Sequence, residues 1–148
     1  MTELQTQIGT NAEIVAAADE LRRKVFVDEQ GVPEDEVIDG FSDKAVHVVI
    51  FACNIPIATA RVIMLNGENY RIGLVAVDQS RRGQHLGEKV MRTAMEYIFL
   101  HGGESIYLTA QKQVVGFYKR LGFEQCGAEE SLESGFVLVP MNYIDKKF

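Results

Sequence analysis

"IGLVAVDQSRRGQHLG", residues 72–87, is the stretch whose reading decides the fold. Its first part, through Val77, is an apolar, β-branched run that reads as a strand. From Gly83 to about Leu100 the apolar positions Leu86, Val90, Ala94 and Tyr97 recur at helical spacing. Between them lies a turn holding Arg81, Arg82, Gly83 and Gly87. At a helix start the first amide hydrogens lack partners and the helix dipole is positive, so such a turn is an anion site. Gly83 and Gly87 let a ligand approach the backbone, and arginine grips phosphate through paired hydrogen bonds. The expected ligand is a phosphate or pyrophosphate.

Working outward, Gly102-Gly103 ends that helix before the strand "SIYLTA", so the segment is a βαβ unit. Upstream, "AVHVVIFACN" and "IATARVIML" read as a hairpin joined through Asn54 to Pro56. A tight turn at Asn66-Gly67 then leads into "YRIGLVAV", the third member of a meander. At the amino end, "ELQTQIG" reads as a first strand, and Thr10-Asn11-Ala12-Glu13 has capping-box spacing. In the helix that follows, Ile14, Ala18, Leu21 and Val25 share the buried face, while Glu13, Asp19, Arg22 and Arg23 face elsewhere. "DEQGVPEDEVIDGFSD" reads as a loop with a short helical turn. After "SIYLTA" a short helix covers roughly Val114 to Leu121, and "FEQC" and "FVLVPMNY" form a last antiparallel pair.

At 148 residues and 47% hydrophobic composition the chain is the size of one domain, spanning 1–148. Its net charge of −6 argues against nucleic acid or an anionic membrane as partner, so an anion site must be local. Cys53 and Cys126 read as reduced thiols, no metal-ligand spacing occurs, and the amino terminus lacks an export signal. A cytoplasmic protein without a metal is expected. The sequence leaves a homo-oligomer open.

Two motifs in order resemble the GNAT superfamily of acyl-CoA-dependent N-acetyltransferases. The family's R/Q-x-x-G-x-G/A signature is matched at Arg82, Leu86 and Gly87, with His85 standing where the pattern has glycine. "VVGFYKRLGFEQCG", residues 114–127, is similar to the family segment that holds an aromatic pair, a helix, Leu-Gly-Phe and a return strand. "RRKVFVDEQGVP" and "DGFSDKAVH" further resemble the small bacterial members of the ElaA type and, more distantly, the acyl-homoserine-lactone synthases. The fold implied is α/β: a mixed, mostly antiparallel twisted sheet flanked by helices, with a splayed parallel strand pair.

The resemblance implies direct transfer of an acetyl group from acetyl-CoA to an amine acceptor. Pyrophosphate would sit on the amides of Arg82, Gly83, Gln84, His85, Leu86 and Gly87. The backbone of Val75, Ala76 and Val77 would pair with pantetheine as an added strand pairs with a sheet edge, and the amide of Val75 or Ala76 would face the oxyanion. Tyr118 falls at the position of the acid that protonates the departing thiolate. Gln111 would touch pantetheine or the acceptor, and Glu29 and Asp39 are the preferred acceptor binders within an acidic segment. No base is chosen among Glu29, Asp39, Asp43 and His47. Two rivals remain: an acyl-homoserine-lactone-like synthase using S-adenosylmethionine, and a CoA-binding regulatory module without turnover.

Overall fold

The computed structural model describes residues 3–144; Met1, Thr2 and residues 145–148 lie outside the description. Strand β1 (Leu4–Gly9) is followed by helix α1 (Ala12–Arg22), which continues as a π-helical segment, Arg23–Glu29. A short helix, α2 (Glu34–Val37), and a 3-10 turn at Ser42–Lys44 occupy the acidic loop. Strands β2 (Val46–Ala52), β3 (Ile55–Asn66) and β4 (Asn69–Val77) form the meander. A 3-10 turn at Gln79–Arg81 leads into helix α3 (Leu86–Leu100), then β5 (Ser105–Gln111). Helix α4 (Val115–Arg120) and strands β6 (Phe123–Gln125), β7 (Glu130–Ser131) and β8 (Val137–Tyr143) complete the chain. The sheet order is β1-β2-β3-β4-β5-β8-β6, with β7 on β8; among the described residues only β4 and β5 run parallel.

Helices cover both faces of the sheet, which is why β3 is buried from Pro56 to Val62 without alternation. Val49 packs on Ile14, Ala17 and Ala18 of α1, whereas Val48, Ile50, Ala58, Ala60 and Val62 belong to the cluster built on Val90, Met91, Ala94 and Ile98 of α3. His47, Thr59 and Arg61 therefore lie on the α1 face.

Several local expectations are corrected. The cap of α1 is Asn11, not Thr10: its side chain accepts from Ile14 N at 2.9 Å. Arg22 faces inward and is fully buried, because its guanidinium meets His47 and Asp19 beneath the sheet. The first hairpin turns at Cys53-Asn54, both at positive φ (50° and 65°), as a two-residue turn requires. Pro56 stands inside β3 opposite a register shift at Ile50/Phe51, where the ladder tolerates its missing N–H. Helix α3 ends as expected: Gly103 N donates to Ile98 O and Gly102, at φ 82°, donates to Phe99 O. A Cβ on Gly103 would collide with Ile98 and Tyr70.

Candidate functional site

Strands β4 and β5 pair only at Asn69–Arg71 against Ser105–Tyr107, and beyond that they part. Within β4, Leu74 and Val75 together oppose the single residue Ala60, between the pairs Thr59↔Ala76 and Arg61↔Gly73. Leu74 carries the turn of this bulge at φ 47°. The extra residue reverses the parity of the strand: Ile72 packs toward α3, yet Ala76 packs on Leu21 and Val25 of the α1 side. Because Asp78 N donates to Ile57 O, the ladder alternation turns Ala76 toward β3 and leaves Val75 and Val77 facing the gap. The Leu74 carbonyl accepts from Arg22 Nε at 3.4 Å. In a trans peptide the Val75 N–H points the opposite way from that carbonyl, away from Arg22.

The turn after β4 alternates in hand. Arg82 is extended at φ −69°, Gly83 lies at φ 84° and His85 at φ 59°. His85 thus takes the left-handed conformation that glycine occupies more cheaply, and its side chain is 87% exposed. Among the described residues, no backbone N–H from Arg82 to Glu88 donates a hydrogen bond; the first into α3 is Lys89 N to His85 O, 3.1 Å. His85, the N-cap, offers no side-chain cap. A run of unpaired amides at alternating hand, at the positive end of a helix, is an anion-binding nest.

Gly83, His85, Leu86 and Gly87 line a pocket together with Val77, Arg81 and Arg82. Phe117 and Arg120 of α4 and Leu121, its C-cap, close it. Gly87 sits close under this closure: a Cβ there would lie in contact with Phe117 Cζ at 3.4 Å and Val77 Cγ2 at 3.7 Å, leaving little room for a larger side chain. Arg120 was not anticipated. The signal was available, since turns following two parallel neighbours emerge at the same end of the sheet.

Tyr118 is 9% exposed, packed edge-on to Phe117 (centroids 5.0 Å apart) and Phe123 (6.2 Å). Burial pushes its phenol up to about 12. Gln111 bridges instead to Gln30, donating from Nε2 to Oε1 at 3.1 Å, and accepts from Gln113. Gln84 is exposed outside the pocket lining.

Each of the two carboxylates expected to bind the acceptor, Glu29 and Asp39, is held by an arginine. Glu29 pairs with Arg82 through both oxygens (2.5 and 2.8 Å), and Asp39 pairs with Arg61 likewise (2.9 and 3.0 Å). The Arg82 hydrogen bond lowers the Glu29 pKa; for Asp39 burial raises it, but the Arg61 and Phe41 hydrogen bonds prevail and the net direction is down. His47 is fully buried with both ring nitrogens engaged, by Arg22 Nη1 and by the Ser42 carbonyl. Lys24 binds Asp78 at 2.7 Å, and this bond, with the Ser80 amide, holds the Asp78 carboxyl at about 2. Among the described residues no group of three or more His, Cys, Asp or Glu is placed to hold a metal, and no helix is long and apolar enough to cross a membrane.

The sequence profile of the acetyltransferase (GNAT) domain matches residues 12–144. A Bacillus subtilis protein described as uncharacterized N-acetyltransferase YjcF is 32% identical over 133 residues, covering 89% of this chain and 94% of that one. The crystal structure of Escherichia coli ElaA superposes with a TM-score of 0.84 at 26% identity, over 97% of this chain and 100% of that one. An aminoglycoside 6'-N-acetyltransferase complexed with coenzyme A shares the fold at a TM-score of 0.74 and 14% identity, over 99% of both chains. Matched by the family profile over most of its length and by a relative 32% identical across nearly the whole of both chains, the chain belongs to the GNAT acetyltransferase family.

Proposed function

We propose that this chain, as a single domain over residues 1–148, is a cytoplasmic N-acetyltransferase that moves an acetyl group from acetyl-CoA to a primary amine of a small molecule or peptide. The observation that carries the reading is the run of unbonded amides from Arg82 to Glu88 at the start of α3, beside a cationic pocket. Such a run has the polarity and reach to hold a diphosphate, with Gly83, Gln84, Leu86 and Gly87 as its backbone contacts. The gap between β4 and β5 would take pantetheine as an added strand. Along Val75, Ala76 and Val77, the amide of Val75 is the one aimed at a carbonyl in that gap, and Gln111 stands at its far lip.

In the transfer, the amine nitrogen attacks the thioester carbon, and the C–N bond forms as the carbonyl electron pair moves to oxygen. The Val75 N–H stabilises this oxyanion. Collapse breaks the C–S bond, the pair leaves on sulfur, and Tyr118 supplies the proton. Its raised pKa keeps the phenol protonated at neutral pH. The proton shed by the amine passes to solvent water and restores Tyr118. Glu29 and Asp39 would face the acceptor with charges already shared with Arg82 and Arg61. The exposed free cysteines, Cys53 and Cys126, suit a reducing compartment.

The test is release of free thiol from acetyl-CoA with a panel of spermidine, L-lysine, tyramine, glucosamine and a peptide with a free amino terminus. Turnover with any of them is expected. Calorimetric CoA binding with no turnover would make the chain a binding module, and release that depends on S-adenosylmethionine would make it a lactone-type synthase.

A further inference from the structure

The side chain of Arg82 is committed to partners within the protein. Its Nε and Nη2 donate to the Val77 carbonyl at 3.2 and 3.0 Å, Nη2 also to Glu29 Oε1 at 2.8 Å, and Nη1 to Glu29 Oε2 at 2.5 Å. A guanidinium has donors on three nitrogens only, and all three are engaged. Bidentate capture of a phosphate by this side chain would require breaking the Glu29 pair. Arg81 and Arg120 line the same pocket, and among the described residues neither side chain makes a hydrogen bond or ion pair. Glu88, the carboxylate in that lining, is held by Arg92 Nε and Nη2 at 3.1 and 2.9 Å.

Glu29 and Gln30 occupy a particular place. Glu29 ends the π-helical segment and reaches the turn after β4, while Gln30 reaches Gln111, the last residue of β5. These two consecutive residues therefore span the mouth between the parted strands. Further back, Lys24 ties the same segment to Asp78, directly after β4. The segment is fixed to both lips of the gap in which the acyl end of the cofactor would lie.

We propose a division of labour among the three arginines: the side chains of Arg81 and Arg120 grip the phosphate oxygens of the CoA nucleotide, whereas Arg82 is a positioning residue that clamps Glu29 and Gln30 across the mouth and shapes the acceptor wall. This rests on the reading of the turn as an acyl-CoA site. It makes phosphate affinity and acceptor recognition separable by substitution within one pocket.

The full-length protein is titrated with CoA in a calorimeter at low and high salt, as wild type and as R81Q, R120Q, R82Q and E29Q. For each, kcat and KM are measured for the amine that releases thiol fastest in the panel above. R81Q and R120Q should each weaken CoA about tenfold and flatten the salt dependence of binding, as expected for loss of a charge-assisted contact. R82Q and E29Q should leave CoA affinity within about twofold and raise the acceptor KM about fivefold, with E29Q/R82Q no worse than either alone, as for partners in one contact. Weakening of CoA by R82Q to the level of R81Q, or an acceptor KM indifferent to E29Q, would overturn the division. Failure of wild type to bind CoA at all would overturn the cofactor reading itself.

Discussion

Arg22 Nη1 stands 3.0 Å from His47 Nδ1 in the interior, and this contact fixes the state of the imidazole. A guanidinium only donates, so Nδ1 must accept and carries no proton; Nε2 then donates to the Ser42 carbonyl at 2.8 Å. Burial first, and the Arg22 charge second, lower the His47 pKa from 6.5, with Arg61 adding to the effect and the Ser42 hydrogen bond and Asp19 opposing it. A histidine whose folded pKa lies below its unfolded value binds fewer protons folded than unfolded. Its contribution is present above the unfolded pKa and is lost as pH falls below it. The urea midpoint should hold above pH 6.5 and decline on acidification from that value. His47→Gln, which keeps one acceptor and one donor, should remove that slope; a wild-type midpoint that is flat there would show that His47 titrates normally.

Tyr118→Phe keeps the edge-on ring contacts with Phe117 and Phe123 and deletes only the phenolic hydroxyl. CoA binding should survive, and single-turnover transfer should slow by about a hundredfold to ten-thousandfold, the range for a general acid. With the phenol at about 12, the wild-type rate should show no alkaline fall attributable to Tyr118 at moderately alkaline pH. A single-turnover rate near wild type in the Phe variant would return Tyr118 to the core.

His85→Gly tests the turn from the opposite direction. The left-handed φ of 59° costs a non-glycine residue about 1–2 kcal/mol, part of which the unfolded-state entropy of glycine offsets. The variant should melt a few degrees higher and bind CoA at least as well, because the amides stay where they are. Differential scanning calorimetry decides the matter, and a lower melting temperature would contradict the assigned conformation.

Gly87→Ala and Gly87→Val should separate sharply. A Cβ 3.4 Å from Phe117 Cζ is a contact that ring can absorb, but the branched methyls of valine would meet Phe117 and Val77 Cγ2 together. CoA affinity, followed by titration in folded protein, should drop modestly for alanine and at least about tenfold for valine. Equal affinities would mean that the cofactor lies elsewhere.

Much of this architecture was legible because it rests on local chemistry. The β-branched runs "VHVVIFA" and "IATARVIML" mark strands and the Gly102-Gly103 stop marks a helix end without long-range knowledge; the Asn66-Gly67 dipeptide places the second hairpin but one residue early, since Asn66 pairs with Asn69 and the turn residues are Gly67 and Glu68, with Gly67 at φ 49°. What stayed hidden is set by distant partners. Leu74 adopts positive φ although nothing in "RIGLVAV" marks it; adjoining Gly73 is the residue a reader would choose for a bulge. Arg22 reads as solvent-facing until His47 and Leu74 are brought beneath it. One clue was present: Arg61 inside "IATARVIML" demands a buried counter-charge, and an acid of the preceding loop was the place to look. The pairing of Glu29 and Asp39 was not legible, because their arginine partners lie 53 and 22 residues away.

Asp39 and Arg61 allow structure and recognition to be told apart in the last test. The Arg61 side chain is 9% exposed and that of Asp39 24%, and Arg61 Nε has no partner among the described residues. Removing the carboxylate leaves a desolvated guanidinium without its counter-ion, which costs about 3 kcal/mol in comparably buried pairs. Asp39→Asn should therefore lower the denaturant midpoint strongly. Asp39→Asn/Arg61→Met, which removes both charges, should recover part of that loss, since the penalty lies in the orphaned charge rather than in the absence of the pair. In the double variant, measured where it is fully folded, the acceptor KM reports only on recognition. A rise in KM with CoA affinity unchanged would place the Asp39 carboxylate against the amine, and a KM equal to wild type would confine Asp39 to holding Arg61 under the sheet.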